Sequence, residues 1–283
     1  MKTLDKQRFG PWALVTGASS GIGHAFAAHL AAGGINLVLA ARRLSILDQV
    51  GRDLADQHHI QYRSVRVDLA EPGFLTTLTD ATDDLDLGLV VSNAGDMNLG
   101  EFLITPHDAL LAEMRVNTEA HLSLTHHFGQ ILARRGGGGI LLVSSVAGIQ
   151  GVPYIANYSA SKSYVLSLGE ALHRELAPRG VHVTVLVPGA TATAMTARFG
   201  ADKTPMGRLM MSADACAADG LTALAANRAV RISGRLNRAT IALTPRRARI
   251  RMFGAMNKSM AADLATTASE PGTPGIELHD TPA

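Results

Sequence analysis

Thr16-Gly17-Ala18-Ser19-Ser20-Gly21-Ile22-Gly23 is the stretch whose reading decides the fold. The apolar run Trp12 to Thr16 leads into it, and a helical pattern from Gly21 to Ala32 leads out of it to Gly33-Gly34, a stop signal. Glycines here let the backbone turn tightly and approach a phosphate closely. The helix that follows offers free N–H groups and a favourable dipole at its N-terminus. A bare glycine pattern also suits an ordinary strand-to-helix turn. Its position, after the first strand and before the first helix, points instead to a dinucleotide site.

Outward from this turn, apolar strand-like runs alternate with longer helical patterns, as βαβ units require. Strands are predicted at Trp12 to Thr16, Asn36 to Ala41, Tyr62 to Asp68, Leu85 to Ser92, Ile140 to Ser145 and Val181 to Pro188, with a short seventh near Ala229 to Ile232. Several are continuous apolar runs, as expected of strands buried on both faces. Helices are predicted at Gly21 to Ala32, Leu44 to His58, Glu71 to Thr82, His107 to Arg135 and Tyr154 to Ala177. A further helix is expected over 212–227, started by Ser212, and a terminal one over 244–260, with Thr244-Pro245 as cap and first turn. The fold class is α/β: a doubly wound parallel sheet of about seven strands, a Rossmann fold, with helices on both faces and a C-terminal helical extension. One domain is expected over 1–264, with residues 190–211 as a loop or short-helix insertion. The Thr-, Pro- and Ala-rich stretch 265–283 reads as a disordered tail.

Composition supports a globular chain. The 283 residues are 47% hydrophobic and 18% charged, and a single cysteine, Cys216, excludes an intramolecular disulfide. Met1 to Pro11 carries charges without an apolar block of signal-peptide length, and no uninterrupted apolar run reaches membrane-spanning length. A cytoplasmic protein is therefore expected. The net charge of +2 is unevenly placed: between Gly220 and Ala262 there are nine Arg or Lys and no Asp or Glu. Arg246, Arg247, Arg249 and Arg251 neighbour Met252, Phe253, Met256 and Met260, so this helix could lie on an anionic membrane surface, pack on a partner subunit or pack on its own domain. The basic cluster lacks a nucleic-acid-binding module, and nucleic acid is not an expected partner. The histidine pairs His58-His59 and His126-His127 have no HExxH or cysteine–histidine spacing, so no metal site is expected.

The turn reads GxxxGxG, and the whole phrase resembles the TGxxxGxG turn of the short-chain dehydrogenase/reductase family. The resemblance is close from about Pro11 to Thr193 and looser beyond. It implies that Gly17, Ser19, Ser20, Gly21, Ile22 and Gly23 hold a nicotinamide dinucleotide. Asn93-Ala94-Gly95 looks like the family's NAG motif, which supports the central sheet. Asp68, followed by Leu69, matches the acidic residue that meets the adenine ring in relatives. Pro188-Gly189, with Thr191 and Thr193, matches the segment that contacts the nicotinamide side. Where NAD-preferring relatives place Asp at the end of the second strand, this chain reads Ala40-Ala41-Arg42-Arg43. A carboxylate there would repel a 2′-phosphate, whereas Arg42 and Arg43 can make charge-assisted bonds to it. The expected cofactor is NADP(H).

Tyr158 and Lys162 stand four residues apart, on one face of a predicted helix. A free phenol has a pKa of about 10, too high for a good proton shuttle near neutrality. A neighbouring ammonium favours the phenolate, so Lys162 is expected to bring Tyr158 toward the useful range. In the family the matching lysine also binds the nicotinamide ribose. Of Ser144-Ser145, the second matches the family serine that hydrogen-bonds the reacting oxygen. Asn117 matches the family asparagine that holds a water linking the lysine to solvent. The resemblance thus implies an enzyme that moves hydride between nicotinamide and a carbonyl or alcohol, with Tyr158 as general acid and base. The alternative is an NADP-binding sensor or scaffold of the same fold, without turnover. Met97 and Asn98 could touch substrate or fill a loop. Met195, Met206, Leu209, Met210 and Met211 would make an adaptable apolar lid, pointing to a small-molecule hydrophobic ketone, aldehyde or secondary alcohol, such as a fatty, steroid-like or polycyclic compound, rather than a sugar. A homodimer or homotetramer is expected by analogy with relatives.

Overall fold

Continuous apolar runs form strands here because both sides of the sheet are covered, so alternate residues of one strand enter different cores. In β1 (Trp12–Thr16), Ala13 and Val15 face one layer and Leu14 the other. β4 (Leu87–Ser92) divides the same way, with Leu89 and Val91 on the first side and Val90 on the second. Each such fully buried Leu or Val contributes about 1.5–3 kcal/mol. The computed structural model describes residues 4–200, 207 and 210–268.

A short helix α1 (Lys6–Phe9) precedes β1. After it come β2 (Asn36–Ala41), β3 (Tyr62–Arg66), β4, β5 (Gly138–Val143) and β6 (Val181–Val187), then a two-stranded pair, β7 (Thr191–Ala192) with β8 (Met211–Ser212), and finally β9 (Val230–Ile232). The main sheet has seven parallel strands in the order β3-β2-β1-β4-β5-β6-β9. The order reverses between β1 and β4, and it is beyond the carboxyl ends of strands at such a switch that ligands bind.

One layer is built by α2 (Gly21–Ala32), α3 (Leu44–His58) and α9 (Ala213–Ala225), through residues such as Phe26, Leu47 and Leu221. The opposite layer is built by α4 (Phe74–Asp80), α6 (Ala120–Arg135) and α7 (Ala156–Glu175), through Leu78, Phe128 and Val165. The expected doubly wound sheet is therefore present. β1, β2, α2 and α3 have the predicted bounds, because glycines and charges punctuate them sharply. β3 stops at Arg66 rather than Asp68, β4 starts at Leu87, and β5 runs from Gly138 and ends before Ser144.

Several expectations are corrected. The helix predicted over His107 to Arg135 is not continuous: α5 (His107–Met114) passes through a π-turn, Arg115–Glu119, before α6. Such turns are rare and gather at functional sites. A helix absent from the sequence reading, α10 (Arg235–Leu243), lies between β9 and the terminal helix. It has no buried residue, and so lacks the core stripe that would announce it. The terminal helix, α11 (Arg246–Ala268), runs past the predicted end at Met260. Its inner face packs on its own domain. Gly254 lies so close to Pro153 that a Cβ would come within 2.9 Å, Asn257 Nδ2 donates to Pro153 O at 3.2 Å, and Met260 is buried. A short helix α8 (Ala194–Arg198) occupies the insertion, capped by Thr193. Met211 does not cover the cleft as expected but packs on the α2/α9 core. Met206, Leu209 and most of the expected tail lie outside the described residues.

Candidate active site

The glycine turn owes its shape to side-chain locking as well as to backbone freedom. Thr16 Oγ1 accepts from Asn93 N (3.0 Å) and Ala94 N (3.1 Å), and Asn93 Nδ2 donates to Thr16 O (3.0 Å). The first turn and the Asn93-Ala94-Gly95 segment are thereby stitched across the switch point. Gly17 has φ +68°, and a Cβ on Gly23 would lie 2.2 Å from Gly17 O. Gly23 thus serves close packing beneath the turn, while Gly17, Ser19, Ser20, Gly21 and Ile22 line the cleft itself. Ser20, at the N-cap of α2, makes no side-chain bond to the first-turn N–H groups.

A cleft of about 460 Å³ runs from this turn along the strand ends. Arg42, Arg43, Asp68 and Leu69 line one end, with Arg43 Nη2 donating to Ser19 Oγ at 3.3 Å. Asp68 also accepts from Ala70 N at 3.0 Å. At the other end stand Ser145, Tyr158 and Lys162, with Pro188, Gly189, Thr191 and Thr193 across from them. Of the residues matched to cofactor or catalytic roles, Gly23 and Asn117 do not line the cleft. Both act from behind it.

Helix α7 presents Tyr158 and Lys162 because its buried stripe, Ser159, Lys162, Val165, Gly169 and His173, lies on the sheet. Gly169 brings the helix in: a Cβ there would lie 2.2 Å from Val185 Cγ2. Ser144 Oγ donates to Lys162 O at 2.7 Å, so Ser144 fastens β5 to α7 while also bordering the cleft beside Ser145, whose Oγ accepts from Ala147 N at 3.2 Å. Lys162, only 3% exposed, donates to Val143 O at 3.1 Å, with Nζ 5.8 Å from the centre of the Tyr158 ring.

The titration behaviour corrects the expectation for Tyr158. Burial pushes its phenol up to about 12, although a hydrogen bond with Ser145 works in the opposite direction. Burial also brings the Lys162 ammonium down to about 8. The four-residue spacing does place the two groups on one face, but enclosure by protein dominates the phenol's shift, and the nearby carboxylates of Glu113 and Asp96 add to it. Tyr158 is thus held as a neutral, proton-bearing group.

Asn117, fully buried, sits in the π-turn. Its Oδ1 accepts from Asp96 N (2.9 Å), and its Nδ2 donates to Asp96 O (2.8 Å) and Ser161 Oγ (3.1 Å). Gly95 is confined between Asn117 Oδ1 and Lys162 Nζ, each 3.1 Å from where a Cβ would stand. Beneath Lys162, His121 shares a 2.8 Å hydrogen bond with Ser92 Oγ, and burial keeps its ring well below the usual histidine range, hence neutral.

The sequence reading missed several neighbours. Phe253 of α11 joins Met97, Leu99, Ala147, Val152, Ile155 and Tyr158 in one apolar cluster. Arg198 of α8 donates to Asp96 Oδ1 (2.7 Å) and Met97 O (2.6 Å), joining the insertion to the loop after β4. Phe253 and Arg198 carry no local signal, because their partners lie far away in the sequence: 102 residues separate Arg198 from Asp96, and Phe253 belongs to a different element from every member of its cluster. Glu113, buried one turn ahead of Asn117, reads in the sequence as an ordinary helix charge. Among the described residues no cluster of His, Cys, Asp and Glu could hold a metal ion, and no helix is long and apolar enough to cross a membrane.

Comparison with known proteins places this geometry. The short chain dehydrogenase family model matches residues 11–204. A 7beta-hydroxysteroid dehydrogenase of Collinsella aerofaciens is 33% identical over 188 residues, 66% of this chain and 72% of that protein. A solved 7beta-hydroxysteroid dehydrogenase superposes with a TM-score of 0.82 at 28% identity, covering 89% of this chain and 99% of its own. A short-chain dehydrogenase from Sphingobium yanoikuyae, solved in complex with NADPH, gives a TM-score of 0.74 at 26% identity over 95% and 100% of the two chains. The chain belongs to the short chain dehydrogenase family.

Proposed function

We propose that this protein is an NADP(H)-dependent oxidoreductase acting on an apolar ketone or secondary alcohol. The observation that carries the reading is the convergence of Ser145, Tyr158 and Lys162 at one end of a cleft whose other end is lined by Arg42 and Arg43. The cleft suits a dinucleotide phosphate. Its glycine turn leaves no room for side chains, and the N-terminus of α2 faces it without a side-chain cap. At the end of β2, where a carboxylate would repel a 2′-phosphate, two guanidinium groups stand instead. Gly17 and Ser19 to Ile22 would hold the pyrophosphate, Arg42 and Arg43 the 2′-phosphate, Asp68 and Leu69 the adenine, and Asn93 to Gly95, Lys162, Pro188, Gly189, Thr191 and Thr193 the nicotinamide half.

When bound, the nicotinamide supplies hydride to a carbonyl carbon. Tyr158 donates its proton to the carbonyl oxygen, which suits a phenol kept protonated by its surroundings. Ser145 donates a hydrogen bond to the same oxygen and orients the phenol. Lys162 lies behind Tyr158 as the next proton-bearing group, and Asn117 braces Asp96 and the π-turn beside it. In the reverse direction the same residues take the proton from an alcohol. The apolar cluster of Met97, Leu99, Val152 and Phe253 around Tyr158 supports a hydrophobic substrate, steroid-like in size, and the names of the relatives agree.

Tyr158→Phe tests the reading. Turnover of NADPH with a panel of apolar ketones should fall by at least about 10³-fold, the upper range of general-acid contributions. NADPH binding, followed by its fluorescence, should stay within about twofold. Wild-type turnover in that variant would overturn the assignment.

A further inference from the structure

Glu113 is 2% exposed, and nothing in the reaction described above uses it. Its Oε2 accepts from Asn98 N and from Asn98 Nδ2, both at 2.8 Å, and its Oε1 accepts from Asn157 Nδ2 at 3.2 Å. Every one of these partners is an N–H donor. A carboxylate satisfies all three, whereas a protonated acid would set its own hydrogen against them. Three parts of the site meet at this group: the loop carrying Met97 and Leu99, the turn of α5 ahead of Asn117, and the start of α7 at the residue before Tyr158.

We propose that Glu113 is a positioning residue of the reaction centre, its buried carboxylate tying Asn98 to Asn157 so that the Met97–Leu99 wall and Tyr158 keep their spacing, and serving as the counter-charge of the Lys162 ammonium. The inference rests on the roles given to Tyr158 and Lys162 above.

The charges around the pair are few. From α7 come Lys162 and Tyr158 themselves. From the loop after β4 comes Asp96, which is paired with Arg198 at 2.7 Å. From α6 comes His121, held neutral by burial. Burial pushes Lys162 down toward deprotonation, and the charge of Glu113 works against it. Burial also raises the Glu113 carboxyl, while the bonds from Asn98 and Asn157 pull it back. Removing the charge should therefore let Lys162 lose its proton at lower pH, and shortening the side chain should break the span between the two asparagines.

The test combines a titration that needs neither cofactor nor substrate with a rate. The Lys162 side chain is followed by NMR in protein carrying ¹³C-labelled lysine, its signal identified by its loss in Lys162→Met. The wild-type midpoint is expected near the value of about 8 given above. In Glu113→Gln it should fall by about one unit, as expected for loss of a neighbouring buried charge. In Glu113→Asp, which keeps the charge but withdraws it by one methylene, the midpoint should fall by less, while kcat drops about tenfold through misplacement of the reacting groups. An unchanged midpoint in Glu113→Gln overturns the counter-charge, and wild-type kcat in Glu113→Asp overturns the positioning. Should Glu113→Gln not fold, Glu113→Asp reads both, and wild-type values of midpoint and kcat there overturn the proposal. Failure of the underlying reading is separable, since full turnover in Tyr158→Phe leaves the Lys162 titration untouched.

Discussion

Lys162 shows how a single residue can weaken a fold and serve a site at once. Its ammonium lies in protein with one hydrogen bond, to Val143 O, and its pKa falls from 10.5 to about 8. Such a shift corresponds to a penalty on the order of 3 kcal/mol against the folded state. The folded pKa is the lower one, so the penalty is complete below it and is relieved as pH rises from about 8 toward 10.5. Lys162→Met should consequently raise Tm at pH 7 by a few degrees, with the difference from wild type shrinking above pH 8, and should suppress turnover. Thermal unfolding across that pH range measures it. A lower Tm for the variant at pH 7 would mean that Lys162 stabilises the fold. The pair Tyr158 and Lys162 was legible from spacing. The direction of the phenol's shift was not, because spacing carries no information about how completely the surrounding chain excludes water.

Among the elements, the β1–α2 turn and the end of β2 set what the cleft accepts. Gly23→Ala would place a methyl group 2.2 Å from Gly17 O and 2.6 Å from Asn93 Nδ2, and neither neighbour can yield without opening the turn. A stability loss of about 1–3 kcal/mol is expected, together with at least a tenfold rise in the NADPH Kd, read by chemical denaturation and fluorescence titration. At the end of β2, Arg42→Ala should lower kcat/KM with NADPH by about tenfold or more, the worth of a charge-assisted bond, and leave NADH within about twofold. Equal losses with both cofactors would remove Arg42 from phosphate recognition. These two elements have the bounds expected of them, since glycine, serine and charge mark both ends. The His107 to Arg135 segment did not, because a π-turn changes the hydrogen-bond register without changing the apolar spacing enough to be seen.

In the whole molecule, the apolar cluster that includes Tyr158 is assembled from segments far apart in sequence. The Met97–Leu99 loop, the turn carrying Val152 and Ile155, and Phe253 of α11 meet around Tyr158. Phe253→Ala should raise KM for an apolar ketone by about tenfold while kcat stays within about twofold, as loss of an aromatic contact remote from the reacting atoms requires. A fall in kcat without a change in KM would assign Phe253 to the chemistry instead. The basic run that suggested three destinations for the C-terminal helix resolves on its inner face. Gly254, Asn257 and Met260 dock it against Pro153 and the body of the domain, while Arg246, Arg247 and Arg251 remain exposed.

The order of strands and helices, the phosphate-sized glycine turn and the Tyr158–Lys162 pair follow from local chemistry: apolar runs long enough to be covered twice, glycines between a strand and a helix, and polar groups at helical spacing; Asn117 and Ser145 are named by the family resemblance. Tertiary structure alone decided which of those groups face the cleft and which work from behind it, how far burial moves their protons, and that Glu113, Arg198 and Phe253 belong to the site. Desolvation and long-range packing depend on every segment that closes around a group, and no window of sequence contains them.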